Sequence, residues 1–189
     1  MRLFTGLWPA REAVRDLSGA LDRLSAQRSA ELRAATANLR GFRFLPPERW
    51  HLTLRFHGDD ADPAELGEQL AERVRAAAPA PPRMRLAGAG AFASVLWLAV
   101  EPAGEPDERG LRELVRAAGG EPEEHRAHVA VARWRRGRGR GALAGLLADY
   151  AGPWFDVDEV ALVRSDRAPG GAHYTTVRRV RLGDRGRGG

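Results

Sequence analysis

The chain has 189 residues, of which 43% are hydrophobic and 29% are charged. This length suits one globular domain, or two small lobes that share a cleft, and it allows a sizeable core without covalent cross-links. The absence of cysteine excludes disulfides, thiolate metal sites and a thiol nucleophile.

All 30 basic residues are arginine, and the formal net charge is +5. One explanation is a GC-rich genome, which encodes arginine, alanine and glycine by preference. The functional alternative is a partner that carries phosphate, because a guanidinium binds phosphate through two parallel hydrogen bonds. The charge therefore fits nucleic acid as a partner without identifying one.

No apolar run approaches the roughly 20 residues that a membrane-spanning helix needs. Residues 1–9 are apolar, but Arg11 and Glu12 follow directly, so we interpret this segment as a first strand rather than a signal peptide. We therefore expect a cytoplasmic protein that does not bind a membrane.

The spacing of apolar residues predicts the remaining elements. Residues three and four positions apart indicate helices at 11–35, with a break near 25–29, and at 64–77, 106–118 and 142–150. Strands are predicted at 2–8, 39–44, 49–56, 84–86, 95–100, 128–133, 157–164 and 174–182. A loop is predicted at 168–172, between the last two strands, and a flexible tail at 184–189.

The strand at 49–56 alternates apolar and polar side chains, which indicates that one of its faces packs in a core. Its apolar face carries Leu52, Leu54 and Phe56, and its polar face carries His51, Thr53 and Arg55. The polar face therefore presents an imidazole, a hydroxyl and a guanidinium in a row.

The strand at 128–133 has nearly the same pattern. Val129 and Val131 form its apolar face, and His128 shares the polar face with Ala130. By alternation, Arg133 faces away from His128, so it reaches the same space only if the strand ends or bulges there. Two strands that each begin with a histidine suggest one site that is built from two halves.

Strands separated by helices would also fit a parallel α/β sheet. However, no glycine-rich phosphate loop follows the first strand, which excludes the dinucleotide-binding and P-loop classes. The repetition around the two histidine strands instead favours an α+β fold with two similar lobes.

Two histidines on opposite sides of a phosphate form a matched acid and base, because imidazole exchanges protons near neutral pH. One takes a proton from water, and the other protonates the departing oxygen. Phosphoryl transfer also needs hydrogen-bond donors on the non-bridging oxygens, for which Thr53 and Arg133 are the candidates.

At this point the sequence resembles the 2H phosphoesterase superfamily, and within it the RNA 2′,3′-cyclic phosphodiesterases, also called 2′-5′ RNA ligases. That family carries two His-x-Thr-x motifs, which correspond here to 51–54 and 128–131, with Arg133 completing the second motif. The resemblance extends from Met1 to about Leu182. The similar parts include the first four residues and the segment 88–92, which precedes the apolar residues 96–98. Near the end of the chain they include Ser165, Gly171 and Tyr174.

The resemblance implies two pseudo-symmetric lobes, each an antiparallel sheet with helices on its outer side, and an active-site cleft between them. It implies hydrolysis of RNA 2′,3′-cyclic phosphate ends to 2′-phosphates without a metal or cofactor, and reversible 2′-5′ ligation as a second activity. His51 would be the proton donor to the leaving 3′ oxygen and His128 the base, although the nearly symmetric sequence does not assign these roles. Thr53 and Arg133 would hold the phosphate.

Three features depart from the family pattern. Ala130 stands where the family has threonine, which removes one phosphate donor. Losing such a donor can cost about 10²–10³ in rate, although a water could partly replace it. His57 stands where leucine usually precedes the glycine, and we interpret it as a half-exposed residue at the strand end. Finally, the loop between Phe92 and Leu96 is short.

Other features have simpler interpretations. We expect His125 and His173 to be structural, and the arginines at 135, 136, 138 and 140 to form a solvated loop, with RNA contact as the alternative. A metal site at His125 and His128 with Glu123 and Glu124 lacks a second group of ligands, so we expect no metal. The aromatic residues are expected mostly in the core, with one of them stacking on a base: Phe4, Trp8, Phe92, Trp97 and Trp154.

We therefore expect a single two-lobed domain at 1–183 that acts as a monomer on RNA ends or on small nucleotide 2′,3′-cyclic phosphates. The alternative, motivated by Ala130, is a weakly active or non-catalytic relative that binds RNA or nucleotide phosphate. A third hypothesis is an enzyme for a different cyclic phosphodiester.

Overall fold

The computed structural model describes residues 2–137, 140–168 and 171–183. Its strands are Arg2–Leu7 (β1), Arg43–Phe44 (β2), Leu52–Gly58 (β3), Arg83–Phe92 (β4), Val95–Pro102 (β5), His128–Arg133 (β6), Phe155–Asp156 (β7), Glu159–Ala168 (β8) and Gly171–Arg181 (β9). Its helices are Arg11–Gln27 (α1), Ser29–Thr36 (α2), Pro63–Ala77 (α3), Glu105–Ala117 (α4) and Arg140–Gly145 (α5), and a 3₁₀ turn spans Pro47–Arg49.

Antiparallel pairing joins all of these strands in the order β7-β4-β5-β6-β3-β1-β8-β9, with β2 added to β6. The order contains two equivalent halves. In the first lobe β3, β1, β8 and β9 lie side by side, and in the second lobe β6, β5, β4 and β7 do so. The lobes meet at β3 and β6 through one registered pair, Leu52 with Val129. The predicted α+β fold with two similar lobes is therefore confirmed, and the two sheets are continuous at the junction.

The main core lies between the sheet and the helices. Helix α3 contacts β8 and β9, α4 contacts β5 and β3, and α5 contacts β4 and β5. The opposite face of the first lobe carries a separate small cluster that contains Phe4, Ala161 and Val163, with Trp8 and Tyr174 packed against it. The helices thus cover one face of the sheet and leave the other face available for a site.

Several predicted boundaries differ from the structure. The helix expected at 11–35 is broken at Arg28, where the backbone leaves the helical region, as the break near 25–29 anticipated. The strand expected at 39–44 is reduced to β2, and the helix expected at 142–150 is the shorter α5. The last loop is shorter than predicted because β8 continues to Ala168 and β9 begins at Gly171. The predicted tail at 184–189 lies outside the described residues.

Helix α3 shows how local sequence sets an element. The Asp62 side chain accepts hydrogen bonds from the backbone N–H groups of Ala64 and Glu65, and Pro63 occupies the first helical position. Leu70 and Val74 lie on its buried face. The helix ends at Ala78 in the left-handed conformation, with φ 42° and ψ 51°.

Replacing Ala78 with glycine should stabilise the protein, because a residue with a Cβ is strained at this φ and glycine is not. We expect the free energy of unfolding to rise by about 1 kcal/mol in urea denaturation. The matched control is Ala77→Gly, one residue earlier in the helix, which should lower that free energy by a similar amount. Equal effects of the two substitutions would contradict the assigned backbone conformation.

Candidate active site

His51 and His128 occupy equivalent places in the two lobes. His51 directly precedes β3, and His128 is the first residue of β6. The Nδ1 atom of His51 lies 2.8 Å from the carbonyl oxygen of Arg49, and the Nδ1 atom of His128 lies 2.7 Å from that of Arg126. A carbonyl accepts only, so each Nδ1 carries a proton and donates it. With a single proton on the ring, each imidazole therefore keeps its Nε2 lone pair for chemistry.

The junction of the lobes brings the two motifs together. The residues that follow the histidines, Leu52 and Val129, are paired across β3 and β6. His128 and Arg133 are close enough to His51 for their charges to lower its pKa. Both predicted histidines and the predicted arginine thus share one electrostatic environment.

Thr53 is the third predicted site residue, and it follows Leu52 on β3. It pairs with Gly6 on β1, where a side chain would crowd the carbonyl oxygen of Leu52 at 2.9 Å. His125 donates a hydrogen bond from Nε2 to the carbonyl oxygen of Thr53 at 2.8 Å. His125 is thus bound to the strand backbone, while no described residue makes a hydrogen bond to the Thr53 hydroxyl.

Ala130 occupies the position in β6 that Thr53 occupies in β3. The residue across from it is Trp97 on β5, where the first lobe has Gly6. The Trp97 ring covers Gly90, since a Cβ at Gly90 would lie 2.2 Å from the ring. The two lobes therefore differ at this position. The first lobe has the Thr53 hydroxyl beside Gly6, which has no side chain, and the second has the Ala130 methyl beside the Trp97 indole.

A bulge in β6 turns Arg133 toward the site. Leu96 pairs with Ala132 and Trp97 pairs with Ala130, so Val131 is the extra residue on β6. The bulged carbonyl of Val131 accepts the N–H of Leu45 at 2.8 Å. The extra residue reverses the alternation of side-chain directions after Ala130. Arg133 therefore faces the same side of the sheet as His128, as the sequence analysis required for Arg133 to reach the site.

Bulges in β3 overturn another prediction. Phe56 was expected in the core with Leu52 and Leu54, but its side chain is 66% exposed. The register shift at Leu54 reverses the alternation and places Phe56 opposite Phe4, with ring centroids 6.2 Å apart. His57 is half-buried, as expected for a strand-end residue, and its Nε2 lies 2.8 Å from the hydroxyl oxygen of the buried Thr5.

Aromatic side chains surround both histidines, which sequence reasoning missed. Phe4 and Trp8 stack on the His51 ring at 4.7 and 5.4 Å, and Tyr174 meets it edge-on at 5.2 Å. Phe4 is buried, as expected, but it and Trp8 belong to the small cluster on the opposite face of the sheet rather than to the main core. The usable signal was alternation along β1, which places Phe4 and Trp8 on one face.

The second lobe repeats this arrangement around His128. The rings of Phe92 and Trp97 lie 5.2 and 6.0 Å from the His128 ring. Phe92 ends β4, and only Ala93 and Ser94 separate it from β5, which confirms the predicted short loop. Its side chain is 42% exposed, so it forms a rim.

The aromatic surroundings shift the acid–base properties of the site. Burial, assisted by the nearby Arg133 and His128 and opposed by the hydrogen bond to the carbonyl of Arg49, lowers the pKa of His51 to about 4. Burial also raises the pKa of Tyr174, against the effect of Arg133 and Arg49. His51 is therefore neutral at neutral pH in the free protein.

No cluster of three or more histidines, cysteines or carboxylates in the described part of the chain could hold a metal ion. Glu123, one of the residues considered for a metal, instead pairs with Arg112 and Arg116. Over the same residues, no helix combines the length and apolar character needed to cross a bilayer.

A curled antiparallel sheet whose halves each present a histidine to a shared site defines a phosphoesterase of the 2H class. The chain belongs to the 2′-5′ RNA ligase superfamily, whose sequence model matches residues 18–169. A similar protein is the RNA 2′,3′-cyclic phosphodiesterase of Methanothermobacter thermautotrophicus. It is 31% identical over 162 residues, which cover 80% of this chain and 86% of that protein.

Solved structures support the same fold. TT0787 of Thermus thermophilus is 28% identical, with a TM-score of 0.64 over 100% of both chains. E. coli LigT complexed with ATP is 21% identical, with a TM-score of 0.61 over 96% of this chain and 97% of LigT. Usb1 of Kluyveromyces marxianus is 16% identical, with a TM-score of 0.54 over 94% and 96% of the two chains. At their identities, the last two show the fold alone.

Replacing His51 with leucine should change how stability depends on pH. Because folding lowers the pKa of His51 from 6.5 to about 4, the unfolded chain binds a proton in this range that the folded chain does not. The free energy of unfolding of the wild type therefore falls as pH falls through this range, by roughly 3 kcal/mol in total. Leucine does not titrate, so the variant lacks this contribution.

Urea denaturation of both proteins between pH 7 and pH 4 measures the effect. The difference in unfolding free energy should move in favour of the variant as pH falls. A difference that stays constant over this range would mean that the imidazole is not held neutral by burial.

Proposed function

We propose that the protein hydrolyses RNA 2′,3′-cyclic phosphate ends to 2′-phosphomonoesters by a two-histidine acid–base mechanism that needs no metal. The observation that carries the proposal is the equivalent placement of His51 and His128, each with Nδ1 bound to a backbone carbonyl and Nε2 available. The name of the Methanothermobacter relative supports this substrate, and its identity of 31% supports a phosphoesterase activity.

In the proposed reaction, His128 takes a proton from water as the water oxygen attacks phosphorus. The bond from phosphorus to O3′ breaks, and His51 gives a proton to O3′, so the product carries a 2′-phosphate and a 3′-hydroxyl. This assignment of roles comes from the family resemblance. The free protein holds His51 neutral, so the bound anionic phosphate must raise its pKa before it can donate.

Thr53 and Arg133 would bind the non-bridging oxygens. The Thr53 hydroxyl makes no hydrogen bond to a described residue, and a guanidinium offers two parallel donors to phosphate. Ala130 has no donor to add, so the second lobe contributes its histidine and arginine only. We expect this lobe to stabilise the transition state less well than a lobe with threonine at that position.

The same geometry would support ligation. If a 5′-hydroxyl replaces water, His128 takes its proton, the oxygen attacks phosphorus, and O3′ leaves as before. The product then contains a 2′-5′ linkage between two RNA ends, and the reverse reaction regenerates the cyclic phosphate. We propose this as a second activity of the same site.

A second candidate function rests on Ala130. If the lost donor abolishes turnover, the protein would bind RNA ends or nucleotide phosphates without hydrolysing them. A different cyclic phosphodiester as substrate is a third candidate, which a substrate panel would distinguish. The single two-lobed domain at 1–183, the monomeric state and the cytoplasmic location stay predictions.

Turnover tests the main proposal. We expect the wild type, in EDTA, to convert a short oligoribonucleotide with a 2′,3′-cyclic phosphate into the 2′-phosphate, as followed by ³¹P NMR. His51→Ala and His128→Ala should each lose this activity by about 10²-fold or more, because each removes one proton transfer. Full activity in either variant would contradict the two-histidine mechanism, and binding without turnover in the wild type would favour the second candidate.

Replacing Ala130 with threonine should raise the rate of hydrolysis, by up to about 10²-fold, because it restores a donor to the phosphate. Ala130→Val is the matched control, since valine has the shape of threonine without the hydroxyl. We expect kcat to rise for the threonine variant only. Equal rates for the two variants would mean that the hydroxyl position does not contact the phosphate.

A further inference from the structure

A groove of about 670 Å³ lies beside His51 and is not used by the proposed chemistry. Its apolar floor includes Ala161 and Val163 of β8, which are 3% and 1% exposed. Trp8 and Tyr174 line it, and both rings also contact the His51 ring. The groove and the histidine therefore share a wall, so a molecule bound at His51 can extend directly into the groove.

The groove also carries charged side chains of both signs. Arg49 and Arg179 line it together with Glu48 and Glu159, and Arg179 forms an ion pair with Glu159. The Arg49 guanidinium lies against Gly171 at the start of β9, where a Cβ would be 2.3 Å from Nη1. A Cβ here would displace the Arg49 guanidinium from this place, and the φ of 122° at Gly171 favours glycine.

These features match one nucleotide of an RNA chain. The volume lies within the range of small-molecule sites, which is about 300–1,000 Å³. Trp8 and Tyr174 offer aromatic surface for a base, and Arg49 offers guanidinium donors for a phosphodiester.

The stereochemistry of the proposed substrate selects which nucleotide this is. In a 2′,3′-cyclic phosphate, O2′ is attached beside C1′, which carries the base, and O3′ is attached beside C4′, which carries the 5′ chain. A ribose that presents O3′ to His51 therefore directs its 5′ chain to the His51 side. The groove lies on that side.

We propose that the groove binds the nucleotide immediately 5′ of the cyclic-phosphate nucleotide, so that the enzyme selects RNA chains over mononucleotides. This inference rests on the proposed function, since it assumes a cyclic phosphate between the two histidines with O3′ at His51. It adds a binding site for the chain itself, which the acid–base chemistry does not require.

The experiment compares adenosine 2′,3′-cyclic phosphate with a diadenylate that ends in the same group. In the wild type, kcat/KM should be about tenfold or more higher for the diadenylate, the effect expected from one stacked base. Thr176 lines the groove on β9, and Thr176→Glu would narrow it and oppose a phosphodiester there. Thr175→Glu is the matched control, because Thr175 is exposed on the same strand and does not line the groove.

Thr176→Glu should remove most of the preference for the diadenylate and leave hydrolysis of the mononucleotide unchanged, while Thr175→Glu should alter neither. Equal kcat/KM values for the two substrates in the wild type would overturn the proposal. Equal losses on both substrates in Thr176→Glu would do the same, since the groove would then hold the terminal nucleotide.

A binding measurement tests the groove independently of whether the protein hydrolyses its substrate. The dissociation constants of adenosine 2′-phosphate and of a diadenylate with a 2′-phosphate can be measured by calorimetry, even without turnover. Tighter binding of the diadenylate, lost in Thr176→Glu only, would support the groove even if no hydrolysis occurs. Equal binding of the two products would refute the groove, whatever the outcome of the activity assay.

Discussion

The site depends on the single registered pair of Leu52 and Val129, through which the two lobes become one sheet. Each of these residues directly follows a histidine, so backbone pairing at the junction also fixes the distance between the two motifs. Both side chains are buried, at 2% and 0% exposure, and they anchor the junction in the main core. Two imidazoles that lie 77 positions apart in the chain are thereby held by inner strands, which is the rigid support that acid–base chemistry needs.

The rest of the site is made by interruptions of regular pairing. The extra residue Val131 turns Arg133 toward His51, and the shifts in β3 bring Phe56 onto the side of Phe4. Regular strands would have placed the guanidinium on the far face and the phenyl ring in the core. The bulges therefore convert two ordinary amphipathic strands into a surface with a cation and an aromatic ring near the imidazoles.

The sequence predicts the α+β class, most of the element positions and the pairing of two histidine strands, because these follow from periodicity and from two motifs in a consistent context. It does not predict the bulges, since an inserted residue leaves no mark on the alternation until the partner strand is known. This is why the sequence predicted the wrong face for Phe56, and why it placed Arg133 at the site only on the condition that the strand ended or bulged. The aromatic surroundings of His51 were missed for a related reason. Phe4 and Trp8 come from the start of the chain and Tyr174 from β9, and only the sheet order brings these two segments together.

The carbonyl groups of Arg49 and Arg126 hold the two imidazoles, and every amino acid supplies the same carbonyl. Substitution of Arg49 or Arg126 therefore leaves the tautomer of each histidine unchanged, and the side chains at these two positions are available for other contacts. In the first lobe the side chain of Arg49 reaches the groove, while its backbone orients His51. At Arg49 the backbone thus orients His51 while the side chain contributes to the groove. A substitution there would change the groove and leave intact the carbonyl that orients His51 for the proposed proton transfer.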